Sequence, residues 1–133
     1  MYFYHSFTYM ESIEIAATAD TPSVKFYPAK GYLEIKGRSI SENSAKFYRP
    51  LLDSVEKYLF KPVTPTLVHI HFEYFNTASA KCMIEMLKRM EGLTRKGFKV
   101  EVNWYYKQSE PTMYQAGMDY KSILNMDFKM VKV

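Results

Sequence analysis

Thr66 to Phe75 is the clearest strand pattern in the chain, with apolar and polar residues alternating from Val68 to Tyr74. Val68, Ile70, Phe72 and Tyr74 fall on one side and Leu67, His69, His71, Glu73 and Phe75 on the other. That period of two predicts a strand with one face on a core. The pattern then changes. After Asn76-Thr77-Ala78-Ser79, the residues Ala80, Met83, Ile84, Leu87 and Met90 recur at helical spacing, with Lys81, Glu85, Lys88 and Arg89 opposite. This predicts a long amphipathic helix running to about Lys96, with Gly97 as its C-terminal cap.

Upstream, Met10 to Thr18 reads as a strand carrying Ile13 and Ile15. Val24 to Tyr27 and Tyr32 to Lys36 read as a hairpin joined through Pro28 to Gly31. Ser41 or Asn43 can cap a first helix that runs to about Phe60 and buries Phe47, Leu51, Leu52, Val55 and Leu59. Pro50 is harmless if that helix starts near Arg49 and kinks it otherwise. Downstream, Phe98 to Tyr106 reads as a strand, Pro111 to Ile123 as a short helix and Phe128 to Val133 as a closing strand. The alternation of strand and helix in the second half predicts a single α/β domain over residues 10–133. Its sheet is mixed: mostly parallel with right-handed crossovers, plus an antiparallel N-terminal hairpin. Residues 1–9 read as an N-terminal extension, the alternative being an ordered aromatic edge strand.

Composition narrows the function. A chain of 133 residues with 47% hydrophobic content can bury a sufficient core without staples. Its single thiol, Cys82, cannot form an internal disulfide, which fits a reducing compartment. No apolar run approaches the ~20 residues of a membrane span, and the start lacks a basic signal-peptide region. A cytoplasmic location is expected. The net charge of +4 comes from scattered lysines and only four arginines, not from a basic stripe. Nucleic acid is therefore not the expected partner.

Chemistry could reside in three places. His69, His71 and Glu73 share a strand face, but three collinear residues rarely reach one ion, so no metal or other cofactor is expected. Cys82 lies in the first turns of the long helix, yet nothing in the sequence supplies it with a base, and packing is the simpler role. With no glycine-rich phosphate loop and no nucleophile signature, an enzyme has no positive support. The third place is the junction Asn76 to Ser79. A hydroxyl at a helix start can cap the free amides or accept a phosphoryl group that those amides would help hold. Capping threonines are common and phosphorylated ones rare, so the residues alone favour a cap.

Four segments in order carry a resemblance: Gly37 to Ser44, Phe47 to Asp53, Glu73 to Cys82 and Val102 to Tyr106. Together they resemble the SiaC family of bacterial regulatory phosphoproteins, across about residues 10–133. The resemblance implies a fold similar to the STAS domains of anti-sigma factor antagonists. It implies a phosphoacceptor at Thr77, with Ser79 as the fallback, modified by a protein kinase and cleared by a PP2C-type phosphatase. It further implies an effector, linked in this family to a diguanylate cyclase, that the unmodified form engages. The expected partner-binding residues are Asn76, Thr77, Ser79, Lys81, Arg38 and Ser39. A protein-binding scaffold without a phospho-switch is the competing reading.

Overall fold

The computed structural model describes residues 11–133. The expected extension, residues 1–9, lies outside them. Six strands form one sheet in simple sequence order: β1 (Ile13–Ile15), β2 (Ser23–Tyr27), β3 (Tyr32–Ser39), β4 (Thr66–Phe75), β5 (Val100–Tyr106) and β6 (Asp127–Lys132). The β1–β2 and β2–β3 pairs are antiparallel, and β3 to β6 run parallel. The parallel strands are linked by α1 (Ser44–Tyr58), α2 (Thr77–Arg95) and α3 (Pro111–Ile123). This is the α/β fold with a mixed sheet that the alternation predicted. Each crossover steps one strand in the same direction. Right-handed crossovers then put all three helices on one face of the sheet.

The core lies between that face and the helices. Val24, Phe26, Leu33, Ile35, Val68, Ile70, Val102 and Trp104 are all fully buried on it. On the opposite face His69, His71 and Tyr105 remain half-buried, with His69 Nδ1 2.8 Å from the Tyr105 hydroxyl and the His71 ring stacked on Tyr105 at 5.3 Å. Among the described residues no three His, Cys, Asp or Glu side chains converge as a metal site.

Several boundaries differ from the sequence reading. β1 spans only Ile13–Ile15, because the small residues from Ala16 onward give no alternation and a turn closes through Thr18 N–H to Thr21 O at 2.9 Å. β3 continues past Lys36 to Ser39. Of the two candidate caps for α1, Asn43 serves: its side chain accepts from Lys46 N at 3.2 Å. Pro50 therefore lies inside α1, on its exposed side, and deprives the helix of one backbone hydrogen bond.

The buried face of α1 is also rotated. Tyr48 and Tyr58 are fully buried, whereas Phe47 and Leu59 only pack against the margin. Both tyrosines keep a hydroxyl partner, Ser39 for Tyr48 and Thr66 for Tyr58, each at 2.7 Å, which lowers the cost of burying them. In α2 the buried stripe runs through Cys82, Met83, Met86, Leu87, Met90 and Leu93, leaving Ala80 and Ile84 at its edge.

One irregularity decides what the end of β4 presents. Gly37 pairs with Phe72 and Arg38 with Tyr74, so Glu73 has no partner on β3. This bulge shifts the alternation by one residue. Tyr74, expected inward with Val68 and Ile70, turns outward and is 60% exposed. Phe75 turns inward instead and packs on Phe72 at 5.1 Å and Trp104 at 5.8 Å.

Candidate functional site

The site is the handover from β4 to α2. Asn76 has extended backbone (φ −91°, ψ 174°), and its Oδ1 accepts from Ser79 N at 2.8 Å. Asn76 is thus the helix cap, and Thr77 is the first helical residue. Asn76 also ties the junction to its neighbour strand. Its backbone N–H donates to Ser39 O at 3.0 Å, and its Nδ2 donates to Ser41 O at 3.0 Å.

Thr77 is exposed, and among the described residues its hydroxyl makes no hydrogen bond. The N–H groups of Thr77 and Ala78 likewise find no acceptor there, as expected for the first turn of a helix. An uncovered hydroxyl therefore stands beside two free amide donors at the positive end of a helix that spans Thr77–Arg95. Lys81, one turn further on, is exposed. Arg38 is also exposed, its guanidinium 5.0 Å above the Tyr74 ring.

Ser79 and Ser39, both expected to face a partner, lie inside. Ser79 is 0% and Ser39 2% exposed. The Ser79 hydroxyl bonds to Ser39 O at 2.9 Å and lies 2.7 Å from Ser39 Oγ and 2.9 Å from Ser44 Oγ. Ser39 Oγ continues to the Tyr48 hydroxyl at 2.7 Å. This buried hydroxyl cluster joins β3, α1 and α2 under the exposed threonine. Ser79 is thus no fallback acceptor in the folded state, since a modifying enzyme would need α2 lifted off to reach it. The signal for the cluster was the serine at each element end. Which serines turn inward depends on how α1 packs, and that is not local information.

Burial and the Glu85 carboxylate push the Cys82 thiol above its ordinary value. It stays protonated near neutrality and behaves as a packing residue. Tyr120, whose hydroxyl donates to Ala80 O at 2.9 Å, has its ionisation pushed up to about 12 by burial, so this support of the first turn of α2 stays neutral.

Comparison with known proteins agrees with this architecture. The apo-SiaC crystal structure from Pseudomonas aeruginosa superposes with a TM-score of 0.85 at 24% identity, covering 92% of this chain and 99% of that one. The SiaC chain in the crystal structure of the diguanylate cyclase SiaD with its activator SiaC, from the same organism, gives a TM-score of 0.85 at 24% identity, covering 91% and 99%. At that identity these likenesses establish the fold. An uncharacterized protein of Pseudomonas aeruginosa strain UCBPP-PA14 is 25% identical over 119 residues, 90% of this chain and 94% of its own length. Residues 15–133 match the family model described as SiaC family regulatory phosphoprotein, and the chain belongs to that family, a regulatory protein and not an enzyme.

Proposed function

We propose that this chain is a phosphorylation-switched regulator that docks on a signalling effector in its unmodified form and releases it when Thr77 is phosphorylated. The observation that carries this reading is the division of roles between Asn76 and Thr77. Asn76 takes the capping duty, with its bond to Ser79 N at 2.8 Å. The neighbouring threonine keeps an exposed hydroxyl with no structural task. A phosphate there adds roughly two negative charges and three strong acceptors. The free amides of Thr77 and Ala78, with Lys81 nearby, can hold it without disturbing the fold. The same charge placed inside a docking surface opposes association through desolvation and repulsion.

The enzymes of the switch are a protein kinase and a PP2C-type phosphatase acting on Thr77. The effector is a diguanylate cyclase, the partner that the related SiaC activates in its complex with SiaD. All of these act in the cytoplasm; among the described residues no helix is long and apolar enough to cross a membrane. Asn76, Thr77, Lys81 and Arg38 form the partner-facing surface, with Ser39 and Ser79 holding it from beneath.

The test is phosphopeptide mass spectrometry on the protein isolated from its native bacterium under varied growth conditions. A phosphate on Thr77, lost on deletion of the kinase gene, is the expected result. An unmodified Thr77 under every condition would favour the scaffold reading.

A further inference from the structure

The Thr77 face has an apolar side that charge alone does not explain. Tyr74 is 60% exposed at the end of β4, and Ile40, at the end of β3, is 36% exposed. Single exposed apolar residues are ordinary on a protein surface. Here two of them flank an arginine on adjoining strand ends. The Glu73 bulge turns Tyr74 out, and Arg38 pairs with it across the strands and lies over its ring at 5.0 Å. That stacking limits the freedom of both side chains before any partner arrives. Among the described residues the Arg38 guanidinium makes no hydrogen bond and no ion pair, so its donors are open. The surface is continuous with the switch: Asn76 N–H, next to Thr77, bonds at 3.0 Å to the carbonyl of Ser39, which lies between Arg38 and Ile40.

We propose that Tyr74, Arg38 and Ile40 are the anchor of the effector interface. The Tyr74 ring enters an apolar pocket on the effector, and Arg38 pairs with a carboxylate at the rim of that pocket. The proposal rests on the reading that the Thr77 face docks the effector, and adds which residues supply the affinity. Tyrosine and arginine dominate binding hot spots because they combine large area with fixed geometry, and the guanidinium fork matches a carboxylate in a bidentate pair. The occupant is an acidic partner and not a second copy. A two-fold contact centred on Tyr74 would bring two Arg38 guanidinium groups together. The labour is thereby divided: Tyr74, Arg38 and Ile40 hold the effector, and Thr77 decides whether it stays.

The test places a photocrosslinking aromatic amino acid at position 74, at 81 and at 60 in separate full-length chains in the native bacterium. Phe60 is the control, 90% exposed and beyond the end of α1. The expected result is a diguanylate cyclase crosslinked from positions 74 and 81 and not from 60. A cyclase crosslinked from 81 but not 74 would overturn the anchor and leave the switch standing. No cyclase from either position would overturn the parent reading. A second copy of this chain crosslinked from 74 would overturn the choice of occupant. Titration of the captured, purified cyclase gives the second arm. Arg38→Ala and Tyr74→Ala should each weaken binding at least tenfold with an unchanged melting temperature. Wild-type affinity in both would contradict the anchor.

Discussion

At the scale of single residues the account turns on two neighbours with different jobs. Replacing Asn76 by Ala removes the bond to Ser79 N and should destabilise the fold by about 1 kcal/mol. Replacing the exposed Thr77 by Ala should change stability by less than about 0.5 kcal/mol. Urea unfolding of both variants checks this contrast, and a large loss at Thr77 would mean that its hydroxyl is structural after all. Thr77→Asp places a negative charge at a helix N-terminus. It should hold or raise stability by about 0.3–1 kcal/mol while weakening effector binding, so the lost binding cannot be blamed on misfolding. Cys82 offers a control. Its thiol is buried and its ionisation pushed upward, so at pH 8 it should react with a thiol reagent far more slowly than in the unfolded chain.

The junction that carries Thr77 was legible from sequence, because a change of period from two to 3.6 marks where a strand ends and a helix starts. Which of the four residues there caps and which is free was not. Asn76, Thr77 and Ser79 all have side chains able to cap, and only the three-dimensional path of the chain puts Ser79 under α1 and Thr77 in solvent.

At the scale of elements, the site depends on how β3, α1 and α2 are tied together. Ser79→Ala removes a hydroxyl bonded within 2.9 Å to Ser39 and Ser44 and leaves those groups short of a partner. It should cost about 1–3 kcal/mol. Because Ser44 shares the cluster, the double variant Ser44→Ala/Ser79→Ala should lose less than the sum of the single losses. Strict additivity in equilibrium unfolding would show that the serines act separately. The sequence pattern finds the centres of the buried faces of α1 and α2, Leu51, Leu52, Val55, Met83, Leu87 and Met90, but misplaces their edges. A periodicity scan weighs hydropathy and ranks Phe47 or Ile84 above Tyr48 or Cys82. The structure buries Tyr48 and Tyr58 because Ser39 and Thr66 satisfy their hydroxyls. The bulge at Glu73 escaped notice for a similar reason. Its one sequence sign is Gly37 inside β3, with φ of +124°, and the partner of that glycine is more than thirty residues away.

At the scale of the whole molecule, alternation and handedness predicted a mixed, mostly parallel sheet, but not the order of its strands. What a linear reading could not show is that every helix falls on one face. The other face keeps His69, His71 and Tyr105 near water. Burial, with Lys36 and Lys107, lowers the affinity of His71 for a proton, against the opposing pull of Glu73 and Glu110. The folded His71 then titrates below its ordinary value of 6.5, and the unfolded chain binds that proton first. Its contribution to stability is present above pH 6.5 and is lost as pH falls through the folded value. Melting temperatures should therefore drop on acidification below about pH 6.5, less steeply in His71→Gln. Glu101, bonded to Lys129 at 3.1 Å, is shifted down too, but its contribution fades only in the carboxylate range, so the two windows are separable.

The fold presents Thr77 at the parallel strands' C-terminal edge, where α/β proteins commonly place their working groups. The most direct measurement is calorimetric titration of the native diguanylate cyclase with two preparations of the chain, one unmodified and one fully phosphorylated on Thr77. Binding by the unmodified chain, weakened at least tenfold by the phosphate, is the predicted result. Equal affinities for the two forms would contradict the account.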